Sequence, residues 1–499
     1  MFSSIALSAT CLVSACFHTA PNENGAQHHV DIAIESVTVI DVEKGLAAPN
    51  QTILVDNGKI DLVGASNMAI SYEADRIVNG TGLFAIPGLW DMHAHVGDDQ
   101  QSRRTLLPLQ IAYGVTGIRA MAADCYAPKE PNCGAGESIP SIHDVNSWRA
   151  DIQKGELVGP QIIAGSLYVN GPSHDSESSM LSPGNATDGR ALARFVEARG
   201  VDFLKVYEKI PPDAYFAMAN EANRLGLQFA GHVPERVRAS EASNAGQRSI
   251  EHSTGIFEEC SSEEKSLRPN LDYSNWVSHM DVYLEMVRTF DASKCAYVFE
   301  TFRQNDTWVV PTLMIYRRGP HTAKPWRNWQ DDDAVRFLPP NEIQYIAAEE
   351  GFFIDAMGGW EELYPWHQAM FELTKRLEAA DVRLLAGSDC LSLAIVCGIG
   401  LHRELELLVE AGLSPAQALR AATSSPAEFM GRTDEVGRIV PAAIADIVLL
   451  QENPLLDIAN TQMIESVIYR GRYLDRDALD SILEEVETEA LSYPDQQSH

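Results

Sequence analysis

The feature that most constrains this 499-residue chain is an alternation of short apolar runs with longer helical segments between residues 85 and 431. This order is typical of parallel βαβ units, and about eight such units predict an α/β fold of the (β/α)8, TIM-like barrel type with insertions. A doubly wound open sheet is the alternative, but no glycine-rich phosphate-binding motif opens a predicted helix. The predicted strands are FAIPGLWDMHAH, VTGIRAMA, PQIIAGSLY, DFLKVYE, QFAGHVP, SIEHST, WVVPTL and RLLAGSD.

β-rich segments flank this region on both sides. Residues 30–84 contain alternating apolar runs with Asn-Gly turns, which predict hairpins, and similar runs return at residues 432–474. We therefore expect a small β-sandwich domain built from both chain ends, beside a barrel at residues 85–431. Residues 475–499 predict an acidic amphipathic helix with a polar tail.

The first residues predict export. Residues 1–16 are too short an apolar run to span a bilayer, and they end in Val-Ser-Ala-Cys, which resembles a bacterial lipobox with Cys16 as the lipidated residue. No Lys or Arg precedes the run, so an apolar tail without a targeting role stays open. Residues 17–29 predict a flexible tether. The expected location is the periplasm or cell envelope, with a membrane anchor through the N-terminal lipid.

Six of the eight cysteines follow this tether, and an even number permits disulfides in an exported protein. The alternative is a set of free, buried thiols. The pairs expected from proximity along the chain are Cys125 with Cys133, Cys260 with Cys295, and Cys390 with Cys397.

The net charge of the chain indicates which classes of partner it can bind. Lys and Arg number 38 against 70 Asp and Glu, a formal net charge of −32. A surface this acidic repels phosphate backbones, so nucleic acid is excluded as an expected partner. A small-molecule substrate is expected instead, and a homo-oligomer stays open.

Metal-binding residue types lie at the ends of the first and fourth predicted strands. His93 and His95 occupy alternate positions and therefore project from the same face. Lys205 lies between apolar residues of a strand that should be buried, where an ammonium group is costly. Carboxylation by CO2 would turn this lysine into a metal ligand, whereas the alternative is a side chain that extends to the rim.

Three later strands end in residues of the same kind, namely His232, His252 and Asp389. A single histidine of this sort is more often a satisfied core residue. The carboxyl ends of barrel strands, however, are where barrel enzymes place their chemistry. The combination therefore predicts one shared metal site.

This set of residues resembles the amidohydrolase superfamily of metal-dependent hydrolases, and within it the imidazolonepropionase-related group with its prolidase-like members. The matching segments include IPGLWDMHAH, AYGVTGIRAM, AGHVPE, SIEHSTG and LLVEAGLSPAQALRAATSSPAEFMG. The chain differs from this pattern at Ala120, where relatives often carry Asp, and in an aromatic-rich insertion at residues 316–365.

The resemblance implies a centre of two divalent cations, for which Zn²⁺ is well suited. A hydroxide formed at that centre would cleave an amide-type C–N bond in a dipeptide or an N-acyl amino acid. The implied ligands are His93, His95 and Asp389 for one cation, His232 and His252 for the other, and carboxylated Lys205 between them.

Catalytic and substrate-binding roles are assigned by the same resemblance. Asp389 would move a proton to the leaving nitrogen, and Tyr207 would donate to the developing oxyanion or simply pack. His174 and Arg119 are weaker candidates for substrate contacts. A cyclic amide, lactone or phosphoester is an alternative substrate class, and a non-catalytic binding module is an alternative of another class.

Overall fold

The structure is a computed structural model that describes residues 28–68, 71–126, 139–172, 181–272, 279–316, 330, 332–357 and 364–492, with only the backbone at residues 349–357. The strands are β1 (His28–Asp41), β2 (Leu46–Asp56), β3 (Lys59–Ala65), β4 (Tyr72–Asn79), β5 (Phe84–Pro87), β6 (Leu89–Ala94), β7 (Val115–Ala120), β8 (Gln161–Ala164), β9 (Phe203–Val206), β10 (Gln228–Gly231), β11 (Ser249–Glu251), β12 (Trp308–Val310), β13 (Ile447–Leu450), β14 (Ile464–Tyr469) and β15 (Arg472–Leu474).

The helices alternate with the strands in the middle of the chain. They are α1 (Asp99–Gln101), α2 (Leu107–Ala112), α3 (Ile142–Lys154), α4 (Ala186–Arg199), α5 (Pro212–Leu225), α6 (Ala239–Asn244), α7 (Ile256–Cys260), α8 (Glu264–Leu267), α9 (Met280–Arg288), α10 (Ala292–Asn305), α11 (Pro340–Met357), α12 (Tyr364–Ala379), α13 (Ile399–Glu410), α14 (Pro415–Ala421), α15 (Ser424–Phe429) and α16 (Arg476–Ser492). Within the described residues, no helix is long and apolar enough to cross a membrane.

Both ends of the chain contribute to one eight-stranded mixed sheet. Its order is β15-β14-β13-β5-β1-β2-β3, and β4 pairs with β1. The predicted hairpin between β2 and β3 turns at Asn57 and Gly58, whose φ values of 50° and 73° suit the tight turn that Asn-Gly favours. A second layer, as in a β-sandwich, stays a prediction.

The middle of the chain forms parallel sheets that belong to a TIM-barrel-like α/β fold. One sheet has the order β6-β7-β8 and the other β12-β11-β10-β9, with parallel pairing throughout. A parallel bridge joins Gly165 to Phe203, and another joins Val309 to Leu384. The amide of Met92 also donates to a carbonyl of the 384–386 segment. These contacts bring the carboxyl ends of successive strands to a common edge.

The first predicted strand is two strands in the structure. β5 joins the mixed sheet and β6 joins the parallel sheet, with Gly88 between them. A Cβ atom at Gly88 would lie 2.2 Å from Oγ1 of Thr116, so the close approach of β7 requires glycine here. Residues 84–87 thus pair within the mixed sheet, and the domain boundary at residue 84 stays a prediction.

Two of the expected disulfides lie within the described residues. Cys260 pairs with Cys295, and Cys390 pairs with Cys397. Cys133 and Cys16 lie outside the described residues, so the pair with Cys125 and the lipid anchor stay predictions.

Candidate metal centre

The carboxyl ends of five strand segments bring the predicted ligands together. His93 is on β6, and His95 follows it. Lys205 is on β9 and is only 1% exposed. The remaining ligands each follow a strand segment: His232 follows β10, His252 follows β11, and Asp389 follows residues 384–386.

The imidazole rings lie close to one another and to one carboxylate. The ring centroids of His93 and His252 are 4.6 Å apart, and those of His232 and His252 are 4.8 Å apart. Oδ1 of Asp389 lies 3.0 Å from Nε2 of His95 and 3.3 Å from Nε2 of His93. Ligand atoms of His93, His252 and Asp389 all lie within 4.8 Å of one another.

The charge states of these groups fit divalent metal binding. Burial holds the pKa of His93, His232 and His252 well below the ordinary value, so each is a neutral imidazole, the form that binds metal. Burial also raises the pKa of Asp389, but the hydrogen bond with His95 and nearby imidazoles outweigh it and hold the pKa at about 2. Neutral imidazoles with a carboxylate suit zinc and similar ions.

The surroundings of the buried lysine shift its amine towards the neutral form. Burial lowers the pKa of Lys205 to about 8, although the carboxylates of Glu251 and Asp389 oppose the shift. A larger neutral fraction is available at neutral pH than for an exposed lysine, and the neutral amine is the form that reacts with CO2.

A buried ion pair between Glu251 and Arg119, which the sequence analysis did not predict, contacts His93 at its Nδ1 atom. Oε2 of Glu251 contacts Nδ1 of His93 at 2.9 Å, and Oε1 accepts from Arg119 at 2.8 Å and from the hydroxyl of Ser249 at 2.5 Å. Arg119 also donates to the carbonyl of Met92 at 2.6 Å. Arg119 is only 1% exposed, and its role as a substrate contact stays a prediction.

The Nδ1 atoms of two other predicted ligands also contact polar side chains. Nδ1 of His232 lies 3.2 Å from Oε1 of Glu208, and Nδ1 of His252 lies 2.6 Å from Oγ1 of Thr312. Contacts of this kind fix the orientation of an imidazole and leave Nε2 for a metal. Glu208 was also missed, although it follows Tyr207 directly in the sequence.

Hydrogen bonds of Asp91 link β6 to the segment that carries Asp389. Its Oδ1 accepts the backbone amides of His93 at 3.1 Å and Ser388 at 3.0 Å, while Oδ2 accepts the Ser388 hydroxyl at 2.5 Å. Gly387 makes this approach feasible, since a Cβ atom there would lie 2.6 Å from Cβ of His93. Small residues and a buried carboxylate thus set the distance between His93 and Asp389.

Left-handed backbone conformations cluster at this centre. The φ angles are 56° at His252, 48° at Thr312 and 57° at Asp389. Such a value is an outlier for a β-branched residue like threonine, and strained backbone often marks functional sites.

The tyrosine predicted for catalysis lies at the edge of the ligand group. The ring of Tyr207 is 4.4 Å from that of His232 and 5.3 Å from that of Tyr168. The hydroxyl of Tyr168, also missed in the sequence, lies 3.4 Å from Nδ1 of His95. His174 lies outside the described residues, so its role stays a prediction.

Comparison with known proteins gives one partial family match and several structures of similar fold. Residues 368–474 match the model of the amidohydrolase family. Among curated proteins, none matches the chain by sequence. A structure of the bottromycin amidohydrolase is similar, with a TM-score of 0.66 and 21% identity over 92% of this chain and 90% of that one.

Two further solved structures share the fold. A Xaa-Pro dipeptidase with methionine bound in its active site has a TM-score of 0.60 and 18% identity, over 89% of this chain and 99% of its own. Molinate hydrolase has a TM-score of 0.62 and 18% identity, over 94% of this chain and 99% of its own.

Proposed function

We propose, on the premise that the chain is a member of the amidohydrolase superfamily, that it is a metal-dependent hydrolase that cleaves an amide-type C–N bond. The observation that carries this proposal is the convergence of ligand atoms of His93, His252 and Asp389 within 4.8 Å. The fully buried Lys205 on the neighbouring β9 supports a centre that a carboxylated lysine completes.

The proposed centre would take two divalent cations, and imidazole and carboxylate ligands suit Zn²⁺. His93, His95 and Asp389 would hold one cation. His232 and His252 would hold the other, with carboxylated Lys205 shared between them. Such cations supply a Lewis acid and lower the pKa of a water molecule.

The residues of the chain then have distinct roles in the proposed reaction. The contact with His95 favours the ionised form of Asp389, and in the proposed reaction this carboxylate would accept the proton of the attacking water and pass it to the departing nitrogen. The phenol of Tyr207 donates a hydrogen bond to the oxygen that gains charge. Glu251, Glu208 and Thr312 hold the imidazoles in place.

The proposed substrate is a dipeptide or an N-acyl amino acid. Support comes from the structural similarity to a Xaa-Pro dipeptidase and to the bottromycin amidohydrolase. A cyclic amide, lactone or phosphoester is the alternative, because a centre of this kind polarises many electrophiles.

The test is metal content together with turnover of a panel of Xaa-amino-acid dipeptides and N-acyl amino acids, assayed with Zn²⁺ and bicarbonate. We expect about two metal ions per chain and hydrolysis that a chelator abolishes. Asp389→Asn should remove turnover. Asp381→Asn is the matched control, because Asp381 is exposed and has a similar φ of 56°.

Other results would favour other functions. Metal binding without turnover of any dipeptide or N-acyl amino acid would favour a cyclic amide, lactone or phosphoester as the substrate class. A chain that binds no metal would contradict the enzyme proposal and favour a binding module.

We also propose that the protein works outside the reducing cytoplasm, in the periplasm or cell envelope. The two described disulfides support this location, because disulfides persist mainly in oxidising compartments. Non-reducing peptide mapping of protein purified from its native compartment tests it.

A further inference from the structure

A short disulfide-closed loop directly follows Asp389. Cys390 and Cys397 are seven residues apart, and their side chains are fully buried. Three residues inside the loop adopt the left-handed region, with φ values of 72° at Leu391, 50° at Leu393 and 61° at Ala394. Residues with a Cβ atom disfavour this region, so the loop holds a conformation that its own sequence does not prefer.

The loop is bonded directly to Asp389. The Ser392 hydroxyl donates to Oδ1 of Asp389 at 3.3 Å, and the Ser392 amide donates to the Asp389 carbonyl at 3.2 Å. This Oδ1 is the same atom that lies 3.0 Å from Nε2 of His95. A change in the loop therefore reaches the carboxylate that we assign to the metal.

The other side of the loop is fixed to the barrel. The amide of Cys390 donates to the hydroxyl of Ser388 at 3.2 Å, and Ser388 in turn is bound by Asp91. The backbone amide of Asp389 donates to the carbonyl of His93 at 2.7 Å. Asp389 thus lies between a rigid strand end and a loop whose left-handed turns need an external restraint.

We propose that the Cys390–Cys397 disulfide is a positioning element for Asp389, which keeps the following loop in the conformation that aims the carboxylate at the metal. This inference rests on the proposed function, because it takes Asp389 as a ligand. The disulfide closes only a short loop, so it constrains the unfolded chain less than a long-range disulfide does. Its main effect is local.

The second disulfide supplies a matched control. Cys260 and Cys295 are also buried and are 35 residues apart, and they join α7 to α10 instead of closing a loop next to a proposed metal ligand. The chain-entropy account assigns more global stability to this longer closure. We therefore expect the Cys390–Cys397 disulfide to affect metal binding and the Cys260–Cys295 disulfide to affect global stability.

The experiment compares Cys390→Ala/Cys397→Ala with Cys260→Ala/Cys295→Ala in the full chain, by Zn²⁺ affinity in chelator competition, kcat, KM and Tm. We expect the first variant to bind Zn²⁺ about tenfold or more weakly and to lose kcat more than KM rises. The control should show the larger fall in Tm and keep the Zn²⁺ affinity of the wild type. Equal Zn²⁺ affinity in both variants would overturn the proposal.

A second variant covers the case in which the first does not fold. Ser392→Ala removes only the hydroxyl that contacts Asp389, and it should weaken Zn²⁺ binding while leaving Tm near that of the wild type. Wild-type affinity in Ser392→Ala would contradict the proposal. Absence of metal from the wild-type protein would instead contradict the proposed function itself, so the two failures are distinguishable.

Discussion

Oε2 of Glu251 lies 2.9 Å from Nδ1 of His93, and the two side chains are at most 1% exposed. The same carboxylate forms an ion pair with Arg119, whose exposure is also 1%. This buried chain of contacts orients the imidazole so that its Nε2 faces Asp389. A carboxylate behind a metal-binding histidine generally sets ring orientation and raises ligand basicity.

We predict that Glu251→Gln weakens metal binding by about 10–100-fold, because the amide cannot both accept from Arg119 and hold His93 as a carboxylate does. Glu259→Gln is the control, since Glu259 is also buried and accepts from the amide and hydroxyl of Ser240. Chelator competition measures the affinity. Equal affinity in the two variants would show that Glu251 has no part in the site.

Gly387→Ala tests the close packing beneath the centre. The new Cβ atom would lie 2.6 Å from Cβ of His93 and 2.7 Å from Cγ1 of Val310, so His93 must move. We expect a loss of stability of about 1–3 kcal/mol and a fall in metal content. Thermal unfolding and metal analysis check both. Gly184→Ala is the control, because its nearest neighbour would be 3.4 Å away, and a similar loss there would refute the packing argument.

Lys205→Ala tests the carboxylated lysine. If Lys205 carries a carboxyl group, the variant should lose metal and turnover, and short carboxylic acids added to the buffer should restore part of both by filling the vacated space. Intact-protein mass spectrometry under mild conditions should show a CO2 adduct on the wild type only. Lys154→Ala, on the exposed side of α3, should match the wild type. Loss of activity without rescue or adduct would argue for an unmodified lysine.

We predict that the free energy of unfolding depends on pH through His402, a buried histidine outside the candidate metal centre. His402 lies on α13, with Nε2 2.8 Å from the carbonyl of Tyr113 and Nδ1 2.9 Å from the hydroxyl of Thr461. His402 thus links Tyr113, which follows α2, to Thr461 in the C-terminal part of the chain. Burial lowers the pKa of His402 from 6.5 to about 4, although the hydrogen bond with the Tyr113 carbonyl opposes the shift.

Because the folded pKa of His402 is below that of the unfolded chain, its contribution to stability is complete above pH 6.5 and is lost as the pH falls towards 4. The loss amounts to about 3 kcal/mol. Denaturant unfolding at pH 7 and pH 4.5 should show a smaller difference for His402→Gln than for the wild type. His28→Gln, on the exposed part of β1, should retain the full difference.

The sequence pattern was informative about strands because burial and alternation are local properties. β7 to β12 fall within the predicted runs, and each predicted ligand lies at or just after a strand or the 384–386 segment. The division at Gly88 was not visible, since it depends on Thr116 of the neighbouring strand.

The side chains that contact the predicted ligands were harder to predict, because these contacts also join residues that are far apart in the sequence. Glu251 precedes the predicted ligand His252 in the chain, yet it contacts His93, which is 158 positions away. Arg119 was noticed, but its sequence context does not show that Met92, Ser249 and Glu251 take its donors.

The position of β5 between β1 and β13 has a consequence for synthesis on the ribosome. The edge of β5 that pairs with β13 stays unpaired until more than three hundred further residues have been translated, because β13 begins at Ile447. Until then the nascent protein carries an open β edge, to which other chains can add. We therefore expect a chain that terminates before Ile447 to be prone to aggregation.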